Sequence, residues 1–324
     1  MEKEIPKEIR EFPKEEMNAF NKLMVKFFDK AVKNYELGEY FRYCAELDLK
    51  NAKILKKEGG KESLPQVVYL IQQSVEKFAK SYALIMGAVN KNKLRYTKKG
   101  EKGIGHISAK SFVYILRQKD LNDSIDSLKK MSPFLMSEKE HKSFSENINL
   151  KEEEENLNEL ILKKEGTLKK LSLKKVLDTY DKNRKNIKIY ASSRHFERDL
   201  KGVFKSFWKP LVNFVFSKQR INSQRKIFVL QLNVLGLIFP LAFLTYFYES
   251  NTRYPNLLKK QLSPKDFMDR RKSIVKESER ILERLENLNS DSKDLYSVIK
   301  SFYKLDSVKR EKAYNLFIGE EKNN

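Results

Sequence analysis

The sequence predicts an all-α protein, and three observations lead to this prediction. Glycine and proline are scarce, at 11 and 8 of 324 residues, a composition that favours long helices over turn-rich sheets. Apolar residues recur three and four positions apart along most of the chain, which is the period of an amphipathic helix. Helix-stopping and helix-capping residues stand between these periodic stretches. A single cysteine, Cys44, leaves no disulfide framework and favours a reducing, intracellular setting.

The first part of the chain predicts four helices, at about 14–35, 37–57, 63–86 and 104–117. Gly59 and Gly60 end the second helix, as glycines commonly do. Ser63 and Gln66 form a capping box at the start of the third. The apolar stripe of that third helix is opposed by a polar face that carries Gln73, Glu76, Lys77 and Lys80. We expect this helix to be the one around which the bundle is built.

The rest of the chain predicts more helices and a basic loop. Residues 90–103 form the loop, and residues 119–224 contain a Leu-rich basic helix (160–181) and a Phe- and Trp-rich helix (196–216). An uncharged segment at 227–247 and two tail helices, at about 264–287 and 294–317, complete the chain. The lysines and aromatics of 196–216 suit single-stranded RNA. Their helical spacing favours an ordinary amphipathic helix instead.

The net charge of the chain is strongly positive, at +22. The excess of positive charge is concentrated between residues 163 and 226, a segment that contains 19 lysines and arginines but only 5 acidic residues. Such a segment attracts nucleic acid or an anionic membrane surface. A lysine-rich, well-solvated surface without a polyanionic ligand has the same composition, so both interpretations stay open.

The uncharged segment Ile227 to Phe247 is 21 residues long, enough to span a bilayer. Gln231, Asn233 and Pro240 weaken that interpretation, and a helix that is apolar all round also suits the centre of a bundle. The first fifteen residues are charged throughout and lack the apolar core of a secretory signal. A cytoplasmic protein is therefore expected, with membrane association as the alternative.

The chain has three histidines, His106, His141 and His195. None has a second histidine or a cysteine at ligand spacing, so no metal site and no cofactor are expected. His106 follows Gly105 at a predicted helix start. An ordinary capping or core-edge role is favoured over catalysis there, since a lone histidine is weak evidence for an active site.

Four segments in a fixed order carry a resemblance to a known family: DLKNAKILKKEG, QQSVEKFAKSYALIMG, GIGHIS and ESNTRYPN. Their order resembles the HEPN superfamily, in which a QQ-x-x-E-K-x-x-K helix is followed by a G/T-H helix start and later by an R-Y-P-D turn. Asn256 replaces the acid of that turn. The matching positions are Asp48, Ala52, Gln72, Gln73, Glu76, Lys77, Lys80, Gly105, His106, Arg253, Tyr254 and Pro255.

The resemblance covers residues 36–118 and 224–290. It implies a HEPN-like antiparallel helical bundle with a large helical insertion and extra terminal helices. The implied organisation is an N-terminal extension at 1–35, the two bundle parts at 36–118 and 224–290, a basic insertion at 119–223, and a C-terminal helix and tail at 291–324.

Many HEPN proteins are ribonucleases with an R-x4-6-H motif, and no arginine stands in that window before any histidine here. A lysine does not replace the planar guanidinium. The resemblance therefore implies a non-catalytic protein that binds RNA or nucleotide in a prokaryotic defence or stress system of the toxin–antitoxin or abortive-infection type. It also implies a homodimer and a possible nucleotidyltransferase partner. An RNase with an atypical site at His106 is the alternative.

The resemblance also implies a site at one end of the bundle. Its phosphate-binding cluster would consist of Lys77, Lys80, His106 and Arg253, with Tyr96 of the basic loop available for base stacking. In the structural alternative, Glu76 and Lys80 pair at helical spacing. Arg253 would then bind Glu76 or Glu249 within the bundle.

Overall fold

The computed structural model describes residues 29–94, 108–118 and 272–310, together with short stretches between them (173–178, 180–182, 237–238 and 241–242) and isolated positions elsewhere. All regular structure in these residues is helical and no strand is present, so the predicted all-α class is confirmed for this part of the chain. The elements are α1 (Tyr35–Glu58), a 3-10 turn (Lys61–Ser63), α2 (Leu64–Ile85), α3 (Lys91–Leu94), α4 (Ser108–Leu116) and α5 (Lys272–Tyr303).

Helices α1 and α2 form an antiparallel hairpin with bounds close to those predicted. α1 ends before Gly59, whose backbone N–H donates to the carbonyl of Leu55, and Gly60 then adopts a positive φ of 60°. This left-handed conformation suits glycine and turns the chain back within a few residues. The predicted capping box is wrong. The Ser63 hydroxyl instead donates to the carbonyls of Leu55 and Gly60 and makes no cap hydrogen bond to α2.

Helix α2 lies at the centre of the described core. It is enclosed on nearly all sides, because its polar face is buried as well as its apolar stripe. α1 covers one side, α5 a second and α4 a third. The apolar residues that α2 contributes to the core are Val67, Val68, Ile71, Val75, Phe78, Ala79, Tyr82, Ala83, Leu84 and Ile85.

Gly38 allows α1, α2 and α5 to approach one another closely. A Cβ atom added at Gly38 would lie 2.5 Å from the Tyr296 hydroxyl oxygen and 3.2 Å from Cγ2 of Ile85. The Tyr296 hydroxyl is fixed by a 2.6 Å hydrogen bond to Oγ of Ser81. Glycine normally weakens a helix interior, and here the missing side chain makes room for the tyrosine of α5.

The tail differs from the prediction, because α5 is one continuous helix of 32 residues. The predicted break between two helices, at 264–287 and 294–317, is wrong, because the intervening residues 288–293 are helical. The domain boundary predicted at residue 290 therefore lies inside α5. The intervening sequence NLNSDS favours turns when it is exposed. In the folded protein its Leu288 is in the core, and the side chain of Asn289 accepts a 2.9 Å hydrogen bond from Arg42. Tertiary contacts therefore keep the segment helical.

A buried polar network centred on Arg42 joins α1 to α5. The guanidinium donates to both carboxylate oxygens of Glu39, at 2.6 and 2.7 Å, to Glu46 at 3.1 Å and to Asn289 at 2.9 Å. Lys293 of α5 completes the network with a 2.8 Å bond to Glu46. A buried cation is tolerated only when its donors are satisfied in this way, so the network fixes how the two helices pack.

Four residues of the uncharged segment 227–247 are described: Leu237, Ile238, Leu241 and Ala242. All four are completely buried in the same core as α2 and α5. At these positions the segment packs inside the protein, as expected for the centre of a bundle. None of the described helices combines the length and the apolar composition needed to cross a bilayer.

Glu46 generates a prediction about pH. Burial alone would raise the pKa of this carboxyl, but hydrogen bonds from Lys293 and Arg42 outweigh it and lower the pKa from 4.5 to about 2. Because the pKa is lower in the folded protein, the charged carboxylate stabilises the fold above about pH 4.5, and this stabilisation is lost as the pH falls towards about 2. At 1.36 kcal/mol for each pKa unit, its pH-dependent part is about 3 kcal/mol.

Urea denaturation at several pH values is the measurement. We expect Glu46→Gln to reduce the free energy of unfolding near neutral pH, and the difference from the natural protein to shrink on acidification. Glu58→Gln, at an exposed position, is the matched control and should follow the natural protein. A difference that stays constant from neutral to acidic pH would contradict the assigned role of the carboxylate.

Candidate functional site

The polar face of α2 is the site that the sequence motifs single out, and the structure encloses it. This face consists of Gln72, Gln73, Glu76, Lys77 and Lys80. All of them except Lys77 are buried. Glutamate and lysine are almost never fully buried unless they are paired. Whether this face can bind a ligand therefore depends on which of its side chains already form ion pairs.

Lys80 is engaged within its own helix. Its ammonium group lies 2.5 Å from a carboxylate oxygen of Glu76, one turn earlier, and 5.9 Å from the ring centroid of Phe41 on α1. The predicted Glu76–Lys80 pairing is therefore present, but it lies in the interior and not on the helix surface. Because both partners belong to α2, the ion pair compensates two buried charges without linking α2 to another helix.

Lys77 is engaged with α1. Its ammonium group lies 2.5 Å from a carboxylate oxygen of Asp48, another residue of the family motif. The burial of Asp48 raises the pKa of its carboxyl more than the neighbouring Lys77 lowers it. The two matched lysines thus hold carboxylates in the described structure, and a phosphate would have to compete with those carboxylates for either lysine.

Two buried polar side chains, one on α2 and one on α4, have an atom without a hydrogen-bond partner among the described residues. The Gln72 side chain accepts a 3.0 Å hydrogen bond from Gln73, but its own amide nitrogen donates to no described residue. The hydroxyl of Ser111 on α4 is also buried and likewise has no partner among the described residues. Buried polar groups without a partner are rare in native proteins.

The other predicted site residues lie outside the described part of the chain. These are Tyr96, His106, Glu249 and Arg253. Their convergence with Lys77 and Lys80 stays a prediction, as does the pairing of Arg253 with Glu76 or Glu249. Within the described residues, no three His, Cys, Asp or Glu side chains are grouped so that they could hold a metal ion.

A small cavity lies beside α2, on the side that faces α5. It measures about 10 Å³ and is bounded by Phe78, Ser81, Tyr82, Ile85, Ile238, Leu288, Ser292, Leu295 and Tyr296. About that volume accommodates a single water molecule. None of the described residues that bound the cavity is charged, so they offer no partner for a phosphate group.

A second charged feature joins the basic segment to α5. Residues 173–178 and 180–182 are helical, and we call them the stretch 173–182. Their Leu173, Leu177 and Tyr180 are buried in the core. Asp181 accepts hydrogen bonds from Arg280 at 2.6 and 3.1 Å and from Arg284 at 2.5 and 3.2 Å. These bonds lower the pKa of Asp181 although burial acts to raise it.

Sequence reasoning missed both arginine clusters, the one around Arg42 and the one formed by Arg280 and Arg284. One signal was available for the second cluster: Arg280 and Arg284 are four residues apart, so they lie on the same face of a helix. Their acceptor is 99 and 103 residues away along the chain. No local pattern identifies such a partner.

Comparison with known proteins gives no match: no family model, curated protein or solved structure is similar to this chain. The resemblance to the HEPN superfamily therefore rests on the motifs quoted above.

The buried pair generates a prediction. We expect Lys80→Met to lower the free energy of unfolding by about 3 kcal/mol or more, because it leaves the carboxylate of Glu76 charged and buried without its lysine. The double variant Glu76→Gln/Lys80→Met should recover part of this loss, since it removes both charges. Urea denaturation measures both variants, with Lys61→Met at an exposed position as the matched control. A Lys80→Met variant as stable as the control would contradict a pairing role for Lys80.

Proposed function

We propose that this protein is a non-catalytic, HEPN-like helical protein that binds RNA through its basic insertion. The observation that supports this proposal is the arrangement of charges in the helical stretch 173–182. Its leucines and tyrosine point into the core, while Lys174 and Lys182 are exposed. Its acids Asp178 and Asp181 are bound by Arg280 of α5. Arg280 thus pairs with both of these acids, while Lys174 and Lys182 face solvent.

The distribution of charge along the chain also supports this location. Residues 29–94 contain 12 lysines and arginines against 8 acidic residues, and residues 272–310 contain 9 against 7. These two ranges therefore account for only a small part of the net charge of +22. Most of the excess belongs to the rest of the chain, and the segment 163–226 is its most basic part. Affinity for a polyanion is expected where positive charge is not compensated.

RNA suits this arrangement better than a free nucleotide. A nucleotide needs a concave pocket with convergent polar groups, and the described residues that bound the cavity beside α2 include no charged side chain. Lys77 and Lys80, the lysines that a compact phosphate site would use, already hold carboxylates. An extended polyanion needs only a row of exposed cations along its backbone.

The wider setting of the proposal comes from the resemblance alone. It includes action in a prokaryotic defence or stress system, a cytoplasmic location, a homodimeric assembly and a possible nucleotidyltransferase partner. The binding is non-catalytic in this proposal because no R-x4-6-H motif is present, so RNA incubated with the purified protein should be recovered at full length.

The test is the salt dependence of RNA binding by the full chain. Each lysine that contacts a phosphate of a single strand contributes about 0.7 to the slope of log affinity against log salt. We expect Lys174→Gln/Lys182→Gln to reduce the slope for a single-stranded RNA by about 1.4, because two phosphate contacts are lost. The matched control Lys300→Gln/Lys304→Gln removes two exposed lysines, one in the last turn of α5 and one just beyond its end, and should leave the slope unchanged.

Three outcomes would contradict the proposal. The first is an affinity for RNA that does not fall as salt increases. The second is an equal reduction of the slope in the two double variants, which would remove the insertion from the interface. The third is equally tight binding of heparin and double-stranded DNA, which would show a general affinity for polyanions instead of a site for RNA.

A further inference from the structure

Several parts of the described chain meet at one end of the bundle, the end at which α2 stops. Just before α1, the side chain of Lys30 packs against Gly87, where an added Cβ atom would lie 2.5 Å from the lysine Cδ. The end of α5 meets the start of α1 at the same level, because the ring centroids of Tyr35 and Tyr303 are 4.9 Å apart.

The end of α4 and the short helix α3 complete this end of the bundle. Beyond α4, the side-chain amide of Gln118 donates a 2.9 Å hydrogen bond to the carbonyl of Met86, just after α2. On α3, the ammonium group of Lys93 lies 5.1 Å from the ring centroid of Tyr114 on α4. Residues that are far apart along the chain therefore form one continuous surface here.

Positive charge dominates this surface. The ranges that form it are 29–38, 86–94, 114–118 and 300–310. They contain 9 lysines and arginines but only 3 acidic residues. At the opposite end of the bundle, residues 53–64 and 272–286 contain 8 lysines and arginines against 6 acidic residues. We call the exposed lysines of the first surface the basic end: Lys33, Lys91, Lys93, Lys300, Lys304 and Lys309.

Most lysines of the basic end are not compensated by an acid of the described chain. Lys33 lies 2.6 Å from Asp29, and Lys309 lies 3.2 Å from Asp306. The other four lysines form no ion pair with a described acid. Like charges that are gathered without compensation repel one another and attract a partner of opposite charge, so the basic end suits an anionic partner.

An exposed aliphatic side chain stands within the basic end. Val308 is 62% exposed, more than any other large apolar side chain of the described residues. It directly precedes Lys309 and follows Lys304 by four residues. Lysine side chains can keep their ammonium groups among charged headgroups while a neighbouring apolar group enters the lipid layer. This combination is typical of a surface that binds lipid.

Nucleic acid suits the basic end less well than a lipid surface does. Bases stack on exposed aromatic faces. At this end of the bundle Tyr114 lies beneath a lysine, and Tyr303 contacts the ring of Tyr35 and donates a hydrogen bond to Glu36. These rings are already in contact with other side chains, whereas the exposed apolar group, Val308, has no aromatic face.

We propose that the basic end is a docking surface for an anionic membrane. Its lysines meet the acidic lipid headgroups and Val308 enters the interfacial layer, so the protein binds on the bilayer without crossing it. This inference does not depend on RNA binding, because the stretch 173–182 contacts α5 at Arg280 and Arg284. Arg284 and Lys300 are about 24 Å apart along the helix, at 1.5 Å per residue.

The experiment is flotation of the full chain with lipid vesicles. One set of vesicles contains equal parts of phosphatidylcholine and phosphatidylserine, and the other contains phosphatidylcholine alone. We expect the natural protein to float with the first set and to be released as salt increases, because salt screens the attraction between lysines and acidic headgroups. It should not float with the second set, which has no net charge.

Two double variants locate the surface that binds the vesicles. Each lysine close to an anionic surface strengthens binding by about fivefold. Lys300→Gln/Lys304→Gln should therefore weaken binding to phosphatidylserine vesicles by about 25-fold. The matched control Lys174→Gln/Lys182→Gln removes the same number of exposed lysines from the opposite end and should bind vesicles like the natural protein. The expected effects on RNA binding are the reverse.

A fluorescent label tests the contact made by Val308. Cys44, the single cysteine of the chain, is first replaced by serine. A dye that is sensitive to polarity is then attached to the Cys44→Ser/Val308→Cys variant. Its emission should shift to shorter wavelength when phosphatidylserine vesicles are added. The same dye on Cys44→Ser/Ile54→Cys, where the natural side chain is 52% exposed, should show no shift.

The proposal is overturned if the protein floats equally with both sets of vesicles, or with neither. Equal losses in the two double variants would also overturn it, because total charge and not the basic end would then determine binding. If Lys300→Gln/Lys304→Gln reduced the salt slope for RNA and left vesicle binding unchanged, the basic end would belong to nucleic acid. Loss of vesicle binding in that variant alone supports the membrane surface and leaves the RNA proposal intact.

Discussion

The described structure depends on one constraint: a helix at the centre of a bundle has little surface that faces water, so most of its polar side chains must find partners inside the protein. α2 is this helix. Its polar face pairs Lys80 with Glu76 and Lys77 with Asp48, and its Ser74 hydroxyl donates to the carbonyl of Ala45 on α1. Because an unpaired buried charge costs several kcal/mol, the pairing within α2 compensates its buried charges, and the two contacts that reach α1, from Lys77 and Ser74, restrict how α1 can pack on α2.

The same rule explains how the more distant elements join the hairpin. α5 is held to α1 by the Arg42 network and to the stretch 173–182 by Arg280 and Arg284. In each case arginine supplies several donors in a fixed plane, which suits carboxylates and amides that approach from two helices. Asp178 and Asp181 of the basic insertion are thereby used for internal pairing. Lys174 and Lys182 beside them are exposed, and there we propose that RNA binds.

The sequence predicts local features well and long-range pairing poorly. The bounds of α1 and α2 agree with the prediction to within two residues, because apolar periodicity and the glycines at 59 and 60 are local signals. The predicted break in α5 is wrong because Asn289 is kept helical by Arg42, 247 residues away. The polar residues of α2 predict a face that is exposed to solvent, and no pattern within the sequence of the helix shows that this face is buried. The site residues Tyr96, His106 and Arg253 remain predictions.

Hydrogen exchange of the backbone amides tests the central place of α2 most directly. Amides at the centre of a core exchange only when the whole protein unfolds, whereas peripheral helices exchange by local opening. The account predicts that amides between Val67 and Ile85 are the slowest to exchange. It also predicts that they share one opening free energy, equal to that of global unfolding. If α2 exchanged faster than α1 and α5, or by local opening, the central claim would be contradicted.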